Sequence, residues 1–109
     1  MTSIEILSTY QTLSDLTNTM LNAARQDEWD RLAALEQRCQ IHVGNLMQAA
    51  PVKMDMHEQR TKIAIIRAIL QNDAKIRALT EPHMHALQQR LSSTRTAQRS
   101  IQAYGEQPA

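Results

Sequence analysis

The chain has 109 residues, enough for one small domain. Two glycines, three prolines and three aromatics (Tyr10, Trp29 and Tyr104) exclude a sandwich, a barrel or a dinucleotide-binding α/β unit, all of which need turn glycines and β-branched strands. A net charge of +1 implies no partner recruited by strong electrostatics. The charge is nevertheless uneven: six acids against two arginines give residues 1–36 a charge of −4, and five bases against two acids give residues 75–109 a charge of +3.

Leu, Ala, Gln, Arg and Met dominate, and all favour helix. The expected fold is all-α: an antiparallel helical bundle of three long helices plus a short C-terminal helix, because short connections force antiparallel neighbours. Helix 1 is predicted from Ile4 to Arg25, with Ser3 as its N-cap. Ile6, Leu7, Tyr10, Leu13, Leu16, Met20, Leu21 and Ala24 cover about 180° of its circumference. Gln26-Asp27-Glu28 is a short break in which Asp27 is placed to cap helix 2.

Helix 2 is predicted from Glu28 to Ala49. Trp29, Leu32, Leu35, Cys39, Val43, Leu46 and Met47 form a narrower stripe of about 120°. Gly44 inside it costs about 1 kcal/mol relative to alanine. It marks either a close helix approach or a weak point, and the weak point is the preferred reading. Cys39 reads as a small buried hydrophobe in a reducing compartment, with a thiol bridging two chains as the alternative. Pro51 ends the helix, since a residue before proline avoids the α region.

Helix 3 is predicted to begin near Met56, behind an Asp55/Glu58 capping box. Its Val, Ile, Leu and Met positions from Ile63 to Leu91 span an arc of about 200°, far wider than the stripe of about 100° that one neighbour covers. Pro82 interrupts the sequence but not the phase, so one long kinked helix is preferred to two helices jointed near Thr80. Beyond Leu91 the polar run Ser92-Ser93-Thr94-Arg95-Thr96 is read as a break. A short weak helix carrying Ala97, Ile101 and Tyr104 is predicted after it, ended by Gly105. Residues 1–94 then form a bundle core, and residues 95–109 a mobile C-terminal helix and tail.

No catalytic constellation emerges. His83 and His85, two apart on a helix, point in opposing directions, and with His42, His57 and one cysteine they do not supply the converging ligands that zinc requires. Phosphate-binding glycine loops and hydrolase or metalloprotease motifs are absent. The chain is expected to be no enzyme and to carry no metal or cofactor. Asp73 falls in the middle of the helix 3 apolar arc. A buried carboxylate needs a partner: either Tyr10, Thr17 or an arginine within the bundle, or the backbone of a bound partner. Arg90, Arg95 and Arg99 read as a solvated face rather than a nucleic-acid stripe, because stacking aromatics are missing. No signal peptide opens the chain, and its apolar runs are too short to span a membrane.

Three segments carry a resemblance: Ala24-Arg25-Gln26-Asp27-Glu28-Trp29-Asp30, then Ile69-Leu70-Gln71-Asn72-Asp73-Ala74-Lys75-Ile76-Arg77, and finally Arg99-Ser100-Ile101-Gln102-Ala103-Tyr104-Gly105. In this order, over nearly the whole length, the chain resembles the flagellar export chaperones of the FliT type. Family members often continue well past the Tyr-Gly pair, whereas this chain stops four residues later. The resemblance implies a cytoplasmic chaperone without ATPase activity that holds the flagellar filament-cap protein and brings it to the type III export gate. It further implies contact with the export ATPase and, in some bacteria, inhibition of the master regulator of flagellar transcription. It also implies a short last helix that covers the binding groove.

The surplus apolar face fits such a docking role. The expected groove lies on helices 1 and 3, lined by Leu13, Leu16, Met20, Ile65, Ile69, Asp73, Ile76 and Leu79. Ala97, Ile101 and Tyr104 are the expected lid, held weakly enough for an amphipathic helix to displace it. Two other uses of the face stand beside this one: a twofold interface in a homodimer, and a small helical regulator or adaptor that binds a transcription factor or nucleic acid.

Overall fold

The computed structural model describes residues 1–105, with side chains described as far as residue 95. Three helices follow in order: α1 (Ser3–Arg25), α2 (Trp29–Gln48) and α3 (Met56–Gly105). The chain divides into two compact units, Met1–Ala78 and Leu79–Ala109.

The first unit holds α1, α2 and the first part of α3. The cap of α1 falls one residue earlier than expected. Thr2, not Ser3, accepts the Glu5 backbone N–H at 3.2 Å, and its own hydroxyl donates to the Glu5 carboxylate at 3.2 Å. The spacing explains the choice: Thr2 has an acid three residues on and Ser3 does not.

The joint between α1 and α2 also departs from expectation. Asp27 does not cap α2; it closes α1. Its φ of 58° is left-handed. Its N–H reaches the Ala24 carbonyl at 3.3 Å, and the Glu28 N–H reaches the Ala23 carbonyl at 2.9 Å. These are the two bonds of a Schellman motif, with aspartate where glycine is usual. Glu28 takes the N-cap position of α2 without a side-chain cap bond, and its carboxylate meets Arg31 at 3.2 Å.

The Asp55/Glu58 capping box is present as expected. The Glu58 N–H donates to Asp55 Oδ1 at 2.7 Å, and the Asp55 N–H donates to Glu58 Oε1 at 3.2 Å. Gly44 faces open space, so it marks no close helix approach.

Beyond the capping box α3 continues through Pro82 as one helix to Gly105. The separate short helix expected after Leu91 is not a separate element. The serine and threonine run that suggested a break is accommodated inside the helix: Thr94 Oγ1 donates to the Arg90 carbonyl one turn back at 2.9 Å, satisfying its hydroxyl without unwinding the backbone.

The core of the first unit gathers Leu16, Met20, Leu21, Ala23 and Ala24 of α1, Leu32 and Leu35 of α2, and Ile76 of α3, with Trp29 and Cys39 packed against it. Cys39 Sγ approaches Met20 Sδ at 3.5 Å. Burial pushes the Cys39 thiol above its ordinary value, Glu36 adds to that, and Arg38 opposes it. Near this core Asn72 of α3 is buried. Its amide donates to Thr17 Oγ1 at 3.1 Å and to Asn18 Oδ1 at 2.7 Å, while Thr17 donates onward to the Ser14 carbonyl at 2.9 Å. Both amide protons are used, so the buried group carries no unmet donor.

Candidate functional site: an apolar trough

The far end of the first unit is built differently. α2 ends at Gln48 and α3 begins at Met56, leaving seven residues, 49–55, between them. Ala49 is extended and Pro51 follows. Between the two helices an apolar hollow of about 380 Å³ remains open. Its floor is Tyr10 and Leu13 of α1. Its walls are Val43, Leu46 and Met47 of α2, and Ile66, Ile69 and Leu70 of α3. Met47 is 81% exposed and Leu70 59% exposed, so the rim offers large apolar side chains to a partner. Burying each would contribute roughly 1.5–3 kcal/mol.

A second hollow, about 310 Å³, shares Tyr10 and Leu46 with the first. It extends the trough past Ile6 to the α2–α3 connection, where Ala49, Ala50, Pro51, Val52, Met54 and Lys62 line it. The apolar hollow between α2 and α3 matches one face of an amphipathic helix, read at spacings of three and four residues.

The structure redistributes the residues expected to bind a partner. Leu13 and Ile69 line the trough. Leu16, Met20 and Ile76 are sealed in the core. Ile65 is half-buried on α3 outside the lining, and Leu79 is exposed in the second unit. Ala97, Ile101 and Tyr104 lie outside the residues whose side chains are described.

Asp73 is not buried. It is 49% exposed and pairs with Arg77 one turn on, at 2.8 Å. The buried polar residue is its neighbour Asn72, which takes the Thr17 hydroxyl considered for Asp73. The arc from Ile63 to Leu91 includes exposed residues such as Ile63, Leu70 and Leu91. Its centre therefore does not mark the buried meridian, which passes through Asn72 and Ile76, and Asp73 lies about 100° away from Asn72.

The wall contributed by α2 was not anticipated. The signal was there in the Val43–Met47 end of the α2 stripe, but a narrow stripe reads as one consumed by its neighbours. Among the described residues, no three His, Cys, Asp or Glu side chains gather as a metal site, and no helix is long and apolar enough to cross a membrane. In the second unit, His85, Gln88, Gln89, Ser92 and Ser93 line a polar hollow on α3.

The family model described as "Flagellar protein FliT" matches residues 7–106. The chain is 27% identical to the flagellar protein FliT of Shigella sonnei (strain Ss046) over 101 residues, covering 90% of this chain and 82% of that one. It is similar to the crystal structure of flagellar protein FliT from Bordetella bronchiseptica, with a TM-score of 0.69 and 30% identity, covering 77% of this chain and 96% of that one.

Proposed function

This chain belongs to the FliT family of flagellar proteins, and from that premise we propose that it is a cytoplasmic, non-enzymatic export chaperone. It holds the flagellar filament-cap protein in the apolar trough of its first unit and brings it to the type III export apparatus. The observation that carries this reading is the open apolar wall of α2 and α3, where Val43, Met47 and Leu70 are exposed around a hollow floored by Tyr10 and Leu13. An amphipathic client helix supplies the missing apolar neighbour. The export ATPase, the export gate and the flagellar master transcription regulator are the further partners in this reading.

Titration calorimetry with the C-terminal segment of the filament-cap protein tests it. Met47→Glu and Leu70→Glu put charge on exposed rim positions, so helical content should persist while affinity falls at least about tenfold, the effect of burying an unpaired charge. Unchanged affinity in both variants would place the client elsewhere. Of the residues expected to bind a partner, Leu13 and Ile69 line the trough and meet the client in this reading. The lid role of Ala97, Ile101 and Tyr104 is tested with the same peptide: truncation after Thr94 should tighten binding, and equal or weaker binding would reject the lid.

A further inference from the structure

One end of the trough carries a cationic side chain that the rest lacks. In the hollow beside the α2–α3 connection, Tyr10 and Lys62 supply the polar side-chain heads, and the other lining side chains are apolar. Lys62 is half-buried. A half-buried lysine can cover apolar surface with its methylene stem while its ammonium reaches water or an anion. Among the described residues neither the Lys62 ammonium nor the Tyr10 hydroxyl has a hydrogen bond or an ion pair.

No carboxylate lines either hollow. Glu58, one turn earlier on α3, keeps its full charge while accepting the Asp55 N–H in the capping box. Over residues 49–62, Lys53, Arg60 and Lys62 stand against Asp55 and Glu58, a formal charge of +1. The partial negative charge at the end of α2 and the partial positive charge at the start of α3 oppose one another there. The connection end of the trough is therefore weakly cationic.

We infer that the occupant is an amphipathic helix carrying an Asp or Glu side chain at the end that lies over Lys62. The carboxylate accepts from Lys62 Nζ, and the Tyr10 hydroxyl is the second donor lining the same hollow. The inference rests on the reading of the trough as the client site and adds direction to it. Apolar contact alone is non-directional, so a helix could lie either way along the groove. A single charged contact at one end selects one orientation and register.

The test uses the full chain, with a synthetic peptide of the filament-cap protein's C-terminal segment as probe, by titration calorimetry at low and high salt. Lys62→Met keeps the stem and removes the charge. It should weaken binding about threefold, the scale of a partly exposed ion pair, and flatten the salt dependence. Lys62→Glu should weaken it about tenfold through like-charge contact. Changing the contacting acid of the peptide to lysine should restore binding to the Lys62→Glu chain. If both Lys62 variants bind within twofold of the parent while Met47→Glu and Leu70→Glu lose binding, the trough stands and the charged contact falls. If the peptide does not bind the parent, or binds the Met47 and Leu70 variants equally well, the trough reading falls and this inference with it.

Discussion

At one end of the first unit, three residues link α1 to α2, and Leu16, Met20, Leu32, Leu35 and Ile76 close around the alanines Ala23 and Ala24. At the other end, seven residues carrying Pro51 separate α2 from α3, and Val43, Met47 and Leu70 stay exposed. The same three helices supply both ends. The difference lies in how each joint holds its helices. The Schellman turn through Asp27 folds α2 directly back along α1, and two adjacent alanines leave room for close approach. The longer connection imposes no such closeness, so the apolar residues there lack a third neighbour. Burial is concentrated at the tight joint and exposed apolar surface at the loose one.

The largest test of this contrast compares one truncation from each end. Leu16→Ala empties a site in the sealed core and should cost about 2–5 kcal/mol, the usual range for a buried leucine. Met47→Ala removes a side chain that meets mostly solvent and should change stability by no more than about 0.5 kcal/mol. Urea unfolding followed by circular dichroism measures both. Similar losses at the two positions would mean that the trough end is part of the structural core.

Much of this division was legible in the sequence. The all-helical architecture follows from helix-forming composition with few turn residues, and the Asp55/Glu58 box follows from two acids three apart ahead of an apolar run. Of the two readings of Gly44, the close helix approach is removed by the open space around it. The trough was legible only as an excess of apolar surface. Its location depends on which residues of α1, α2 and α3 come together around one hollow, which no single helix wheel contains. The same limit displaced attention from Asn72 to Asp73. A wheel averages all apolar positions of α3, although several of them face water, and it shows nothing of which residue meets Thr17. The clue available was an asparagine, a poor helix former, placed four residues before an isoleucine on the buried face.

Asn72 and Asp73 also give the second test, because adjacent residues should behave oppositely. Asn72→Ala removes both bonds to α1 and leaves the Thr17 and Asn18 oxygens without that donor. It should cost about 2 kcal/mol, since losing one partner of a buried polar pair carries the desolvation penalty of the other. Asp73→Ala removes an exposed pair within one helix and should cost no more than about 0.5 kcal/mol. A reversed order in thermal or urea unfolding would restore Asp73 as the polar anchor of α3 and discard the meridian through Asn72 and Ile76.

The smallest of these effects bears most directly on why the trough end is left loose. Gly44 sits one residue from Val43, and a Cβ added there meets nothing within 4 Å. Gly44→Ala should therefore stabilise the chain by about 1 kcal/mol, the helix-propensity difference alone, with no change in the core. Its effect on binding of the filament-cap segment is the informative measurement. If α2 works as a rigid wall, stability rises and affinity holds or improves, because less order remains to be gained on binding. If the client needs the Val43–Met47 turn to give way as it enters, stability rises while affinity falls, as happens where function draws on local looseness. The first outcome makes the open end a preformed groove fixed by the length of its connection. The second makes the glycine itself part of the binding device.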